Sequence, residues 1–211
     1  MMQIGTFTGF EVSLAQPGIA WIRFNEPEKL NGMNARKKRD LIEVLTQAQM
    51  DNRVRIVVFI GEGRAFCAGD DLKAYAAGKA DENALMPPIS PGHDTALGTY
   101  NGLRHISQEL NLTIRKIDKL CIAAINGVAI QTGLSLALAC DFRLAAKSAR
   151  LGSATLRFGL LPDEGGHFLL IQHLGLTRAM DFIMRKRIVS SLEAEQLGLV
   201  SEVVEDDSLE S

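Results

Sequence analysis

The 211-residue sequence predicts an α/β fold. Three observations carry that expectation. Residues 56–61 (IVVFIG) are apolar and rich in β-branched residues, as a strand buried on both faces is, and residues 120–127 (LCIAAING) read as another buried strand. Segments with helical spacing of apolar residues stand between and after them. No long run alternates polar and apolar residues, which also argues for α/β layering.

In chain order, residues 10–14 (FEVSL) and 19–24 (IAWIRF) flank the turn AQPG and predict a hairpin. After NEPEKLNGMN, residues 35–50 carry Leu41, Ile42, Val44, Leu45 and Ala48 at helical spacing. The basic cluster ARKKRD at the front of this helix, like RKR at 185–187, reads as a solvated face or as a site for a phosphorylated small ligand. The strand at 56–61 leads through a small-residue corner to residues 78–95 (GKADENALMPPISPGHDT). Their Pro, Gly and polar content without a period predicts a long mobile loop.

Leu103, Ile106, Leu110, Ile114 and Ile117 then fall on one face of an amphipathic helix. The strand at 120–127 runs through a Gly-rich corner into the short buried helix GLSLALAC, followed by the strand DFRLAA. Beyond residue 170, RAMDFIMRKRIVSSLEAEQLGLVSEVVE reads as two short helices and a strand. No linker separates a second unit, so residues 1–211 read as one domain.

Hydrophobic residues make up 46% and charged residues 23%, with a net charge of −2. This is an ordinary globular balance without the basic footprint of a nucleic-acid binder. Cys67, Cys121 and Cys140 lack CxxC spacing and predict neither a disulfide framework nor a zinc knuckle. Cys121 and Cys140 read as small buried hydrophobes. His93, His105, His167 and His173 show no HxxxH or HExxH pairing, so no metal site is expected. The start MMQIGTFTGFEVSL lacks the pattern of a signal peptide, and no stretch is apolar for long enough to span a bilayer. A cytoplasmic enzyme is expected.

Two corners offer chemistry: residues 63–73 (GRAFCAGDDLK) and 125–141 (INGVAIQTGLSLALACD). In each, a buried strand gives way to a small-residue turn and the start of a helix, where backbone N–H groups lack acceptors and attract anions. Converging, two such turns form an oxyanion hole. Equally, Gly69 and Gly133 merely ease tight packing. A third stretch, residues 156–170 (LRFGLLPDEGGHFLL), sets Asp163 and Glu164 where a loop enters an apolar helix. Taken alone, that reads as helix capping.

NEPEKLNGMN, RAFCAGDDLK, AAINGVAIQTGLSLALACDFRLAAKSARLG, FGLLPDEGG and AEQLGLVSEVV stand in an order and spacing that resemble the crotonase superfamily, the enoyl-CoA hydratase/isomerase family. The resemblance covers nearly the whole chain. It implies a crotonase-like spiral of ββα repeats, with residues 170–211 as the start of the C-terminal helical region and the later helices truncated or absent. It also implies acyl-CoA thioester substrates, a homotrimer or hexamer, and a thioester enolate held by two backbone N–H groups. Matched residue by residue, these donors fall on Asp70 and Thr132, and the CoA-binding positions on Glu28, Lys29, Leu30, Ala68, Asp71 and Leu72. Coenzyme A arrives as part of the substrate, and no other cofactor or metal is implied.

The two glutamates of the family's hydratases are replaced here by Ser135 and Thr155, neither of which is a carboxylate base near neutral pH. In its double-bond-shifting isomerases, a single carboxylate sits in the turn written here as GLLPDEGG, and Asp163 falls on that position. Beside a dry acyl pocket its charged form would be disfavoured, giving a better-matched base. Glu164 is expected to cap or face away, although a shift of one residue would exchange the two roles. The loop at 78–95 is expected to cover the acyl pocket. GLSLALAC and HFLLIQHLG carry enough apolar surface to predict self-association near 133–139 and 163–184.

Overall fold

β-Branched and aromatic residues in the first quarter of the chain build an antiparallel meander. Strands β1 (Gly5–Phe7), β2 (Phe10–Ala15) and β3 (Ile19–Phe24) pair so that Phe10 lies opposite Phe24 and Val12 opposite Ile22. All four of these side chains are buried. The computed structural model describes residues 1–71 and 95–211. The expected loop therefore lies outside the described residues except for Thr95, whose side chain caps the next helix by accepting from the Gly98 N–H at 3.0 Å.

Helix α1 (Ala35–Met50) carries the chain to β4 (Ile56–Gly61), which pairs with β3 in parallel. The Asn34 side chain accepts from the Lys37 N–H and starts the helix. Leu41, Val44, Leu45 and Ala48 form its buried stripe. Lys37 and Lys38 continue that stripe and are both 0% exposed, which corrects the reading of ARKKRD as a solvated face. Each long stem packs in the interior because its ammonium group meets fixed partners there. For Lys37 these are the Glu26 carboxylate at 2.6 Å and the Gly32 carbonyl at 2.8 Å.

Strands β6 (Leu120–Ile125), β8 (Phe142–Ala146) and β11 (Glu202–Val204) extend the large sheet in parallel, giving the order β1-β2-β3-β4-β6-β8-β11. A second sheet is made of three-residue strands: β5 (Ala65–Cys67), β7 (Val128–Ile130), β9 (Arg150–Gly152) and β10 (Ile188–Ser190), ordered β10-β9-β7-β5. The chain thus lays one strand in the large sheet, one in the small sheet, and then a helix. The unit β6, β7 and the following helix Thr132–Ala139 shows this plainly. In the sequence, the segment between β6 and that helix reads as a Gly-rich corner rather than a strand, because three residues are too few to display a period.

The remaining helices cover the sheets. Call the segment Ala96–Gly102 α2, Gln108–Lys116 α3, Thr132–Ala139 α4, Gly166–Leu174 α5, Leu176–Met184 α6 and Ser191–Gln196 α7. A π-helical turn, Leu103–Ser107, joins α2 to α3. Every residue of α4 is buried within this one chain, so the expectation of surplus apolar surface at 133–139 is corrected. On α5 and α6, by contrast, Phe168, Ile171, Leu176, Met180 and Met184 remain exposed. All three cysteines are free and buried. Among the described residues, no helix is long and apolar enough to cross a membrane.

Candidate active site

Two chain corners meet between the small sheet and α4. At the first, just beyond β5, Gly69 takes φ 108°. A Cβ there would lie 2.5 Å from Gln131 Oε1 and 3.0 Å from Gln131 Cβ, so glycine is what lets the second corner approach. At the second corner, Gln131 holds φ 55° and ψ −120°. For a residue with a side chain, such a conformation costs on the order of 1–3 kcal/mol and persists only where its surroundings impose it. One residue on, α4 begins. A Cβ on Gly133 would run into the Cys67 carbonyl group, whose carbon would be 2.8 Å away. Both glycines therefore do ease tight packing, and that packing is what brings the corners together.

The two expected donor positions, Asp70 and Thr132, sit in this arrangement. Met33 N–H donates to the Gly69 carbonyl at 2.9 Å, and Asp71 N–H donates to the Met33 carbonyl at 2.7 Å. This parallel bridge uses the residues on either side of Asp70 and turns the Asp70 N–H the other way. Thr132 opens α4, so its N–H has no carbonyl one turn earlier to bond. The Thr132 hydroxyl donates to Asp70 Oδ1 at 2.8 Å, tying the two residues to each other.

Behind Asp70 lies Lys38. Its Nζ is 2.8 Å from Asp70 Oδ1, and it donates to Asp70 Oδ2 at 3.0 Å and to Ser107 Oγ at 2.9 Å. Ser107 is the last residue of the π-helical turn.

The turn at Pro162 supplies the carboxylates. Helix α5 starts only at Gly166, and its N-cap, Gly165, receives no side-chain cap bond, so neither Asp163 nor Glu164 caps it. Asp163 lies at the surface, with its carbonyl accepting from Gln108 Nε2 at 2.9 Å. Glu164 is 5% exposed, and its carboxylate accepts from the Ser135 hydroxyl at 2.6 Å. The Glu164 carbonyl accepts from Asn111 Nδ2 at 2.9 Å. Glu164 thus neither caps nor faces away. It points inward because Ser135 on α4 offers a buried donor.

Desolvation raises the pKa of Asp163 above the ordinary aspartate value; the Asp70 carboxylate adds to this, while His167 and Lys38 oppose it. Desolvation likewise raises Glu164, against the hydrogen bond from Ser135, with Asp70 again raising and Lys38 lowering. Both carboxylates therefore feel the same Asp70–Lys38 pair. Of the two positions that carry glutamate in the resembling hydratases, Ser135 is committed to Glu164. At the other, the Thr155 hydroxyl is buried with no partner among the described residues.

Of the expected CoA-binding positions, Leu30, Ala68 and Asp71 lie together. Leu30 takes φ 52° and its carbonyl accepts from the Ala68 N–H at 3.0 Å. Glu28 and Lys29 are exposed on the neighbouring turn Pro27–Lys29, with Lys29 Nζ donating to Glu26 Oε1 at 2.6 Å. Leu72 lies outside the described residues. Among the described residues, no three His, Cys, Asp or Glu side chains converge as a metal ion would require.

Sequence reasoning missed Lys38, Ser107 and Gln131. A signal for Lys38 was present: it stands three residues before Leu41 and seven before Leu45, on the apolar stripe itself. Reading the charges as a cluster concealed that phase. For Gln131, nothing in the local composition signals a positive φ.

The profile of the family described as enoyl-CoA hydratase/isomerase matches residues 15–211. The chain belongs to the enoyl-CoA hydratase/isomerase family. Among curated members of this family, it is 34% identical over 200 residues to the 1,2-epoxyphenylacetyl-CoA isomerase of Escherichia coli, covering 95% of this chain and 71% of that protein. It is 39% identical over 197 residues to a probable enoyl-CoA hydratase of Mycobacterium tuberculosis, covering 92% of this chain and 65% of that protein. The enoyl-CoA hydratase of Bacillus anthracis superposes with a TM-score of 0.83 at 32% identity, covering 96% of this chain and 72% of that one. A putative enoyl-CoA hydratase of Thermobifida fusca, solved in complex with acetoacetyl-CoA, superposes with a TM-score of 0.84 at 33% identity, covering 96% and 76%. In this member of the enoyl-CoA hydratase/isomerase family, the architecture is therefore the α/β crotonase fold, and the meeting of β5 with α4 lies within the matched segment.

Proposed function

We propose that the chain binds an acyl-CoA thioester and shifts a carbon–carbon double bond through a thioester enolate. The Asp163 carboxylate takes a proton from the carbon α or γ to the thioester. The electrons of that C–H bond pass into the conjugated system and onto the thioester oxygen. The Asp70 and Thr132 N–H groups hold this oxygen as its charge develops, and removing one such donor in other enzymes costs roughly 3–4 kcal/mol. Asp163 then returns the proton at the other end, so the reaction consumes no oxidant, reductant or water. Coenzyme A enters with the substrate, and its nucleotide end is assigned to the turn around Glu28, Lys29, Leu30, Ala68, Asp71 and Leu72.

The observation that supports this reading is the bond from Thr132 Oγ1 to Asp70 Oδ1 at 2.8 Å, which links the two residues whose amides are assigned as donors. Supporting it are the raised pKa of Asp163 and the acetoacetyl-CoA held by the Thermobifida fusca relative. A second reading, hydration or hydrolysis with Asp163 or Glu164 acting on water, is favoured by one specific observation. Glu164 is the more deeply buried carboxylate, and its pKa is also raised. The exposed side chains of α5 and α6 are assigned to self-association as a homotrimer or hexamer.

Incubation with enoyl-CoAs in deuterated and in heavy-oxygen water separates the two readings. Isomerisation places deuterium on the acyl chain and no heavy oxygen in any product. Heavy oxygen in a 3-hydroxyacyl product or in a free acid would establish the second reading instead. Finding neither deuterium on the acyl chain nor heavy oxygen in any product would remove both.

A further inference from the structure

An aspartate beside an oxyanion hole is an electrostatic liability. Its carboxylate would repel the negative charge that the neighbouring amides are there to stabilise. In this chain Asp70 contributes both: its backbone carries one assigned donor, and its side chain bonds the Thr132 hydroxyl at 2.8 Å. The interior answers with a cation. Lys38 has 0% side-chain exposure, whereas Asp70 retains 28%, so the lysine has been brought out of water to reach a partner nearer the surface. Burying an ammonium group in this way costs several kcal/mol before its pairing offsets the penalty, which makes such a pair weak evidence of a purely stabilising role. The surroundings are also specialised for it. A π-helical turn, Leu103–Ser107, ends on Ser107, whose hydroxyl accepts from Lys38 Nζ at 2.9 Å. Turns of this kind recur at functional sites because the extra residue redirects a side chain.

We propose that Lys38 is a positioning residue for enolate stabilisation: it cancels the charge of Asp70 and, through Asp70 Oδ1, holds Thr132 so that the two amides stay aligned. The assignment rests on the enolate reading above. Lys38 itself touches no reacting atom. Its ammonium makes Asp70 a neutralised clamp, and the chain Ser107–Lys38–Asp70–Thr132 runs without a break from the helix 96–116 region to the first residue of α4.

The test uses acetoacetyl-CoA as the probe, because its bound enolate is read directly by ultraviolet absorbance at fixed pH. The wild-type chain is expected to raise the enolate-to-keto ratio of bound probe over its value in free solution. Lys38→Met should lower the bound ratio by at least about ten-fold, the lower end of what one nearby charge does to an ionisation. The double variant Lys38→Met with Asp70→Asn should recover most of that loss, since asparagine keeps the acceptor for Thr132 and removes the charge. Should Lys38→Met fail to fold, Thr132→Val cuts the same chain without burying a charge. It should lower the ratio, while Thr132→Ser retains it. A ratio unchanged in Lys38→Met, or in Thr132→Val where that variant replaces it, overturns the assignment of Lys38 and leaves the enolate reading standing. Loss in Lys38→Met without recovery in the double variant also overturns it, because a merely structural lysine behaves that way. A wild-type chain that binds the probe without enriching its enolate removes the enolate reading and this assignment with it.

Discussion

The hydroxyl of Ser135 donates to the carboxylate of Glu164 across 2.6 Å, joining the first turn of α4 to the loop that enters α5. Both groups are buried. Removing the donor with Ser135→Ala leaves a desolvated carboxylate with one partner fewer, and the expected loss is about 1–3 kcal/mol of unfolding free energy. Urea denaturation measures it. Isomerisation should change little, because the hydroxyl does not touch the proton being moved.

Glu164 also sets a pH dependence. Its pKa is raised from the ordinary value of 4.5 by burial, so the native chain keeps a proton that the unfolded chain releases. That contribution to stability is fully present below the unfolded value and is lost as pH rises through the folded one. Stepping the pH upward from about 4 should therefore show a stability decline that Glu164→Gln flattens. An identical slope in the variant and the wild type would falsify this account of the Glu164 environment.

Asp163→Asn should abolish deuterium exchange into the acyl chain, by at least about 100-fold, while the fold and CoA affinity persist. Glu164→Gln should be much milder. Reversal of that ranking identifies Glu164 as the acid/base group, the two neighbouring carboxylates having exchanged roles.

Gly133→Ala forces a methyl group into the Cys67 carbonyl, and backbone on both sides must move. The expected cost is at or above the upper end of about 1–3 kcal/mol for overpacking. Thioester binding should weaken together with stability, since the displaced element carries the Thr132 amide. Calorimetry of unfolding and of probe binding reads both.

Leu176, Met180 and Met184 form an exposed stripe at four-residue spacing along α6. Placing a charge there with Met180→Asp should shift sedimentation toward the monomer without lowering the midpoint of unfolding at low protein concentration. A sedimentation profile indifferent to the substitution assigns the contact to another surface.

Much of this architecture was legible. The hairpin formed by β2 and β3, the register of α1, and the buried strands β4 and β6 follow from periodicity and β-branching over six residues or more. The small sheet was not, because its strands are three residues long and owe their conformation to pairing with each other. The corners at Gly69 and Gly133 were recognisable as places where a chain turns tightly. Their meeting depends on contacts between residues more than sixty positions apart, such as Gly69 with Gln131, which no local pattern encodes. Lys38 was misread because charge outweighed phase. Glu164 was misread because the inward turn of its side chain depends on a serine twenty-nine residues earlier.

The π-helical turn at Leu103–Ser107 has a consequence for how the site tolerates change. Immediately after it, Gln108 and Asn111 grip the carbonyls of Asp163 and Glu164, while Ser107 grips Lys38. One short stretch of backbone therefore hangs both the turn at Pro162 and, through Lys38, the corner at Asp70 from a common rail. A regular helix would transmit any insertion upstream as a rotation of about 100° per residue. The wide turn already holds about one residue more per turn than the α-helices around it, and it sets the phase in which Ser107, Gln108 and Asn111 meet their three partners.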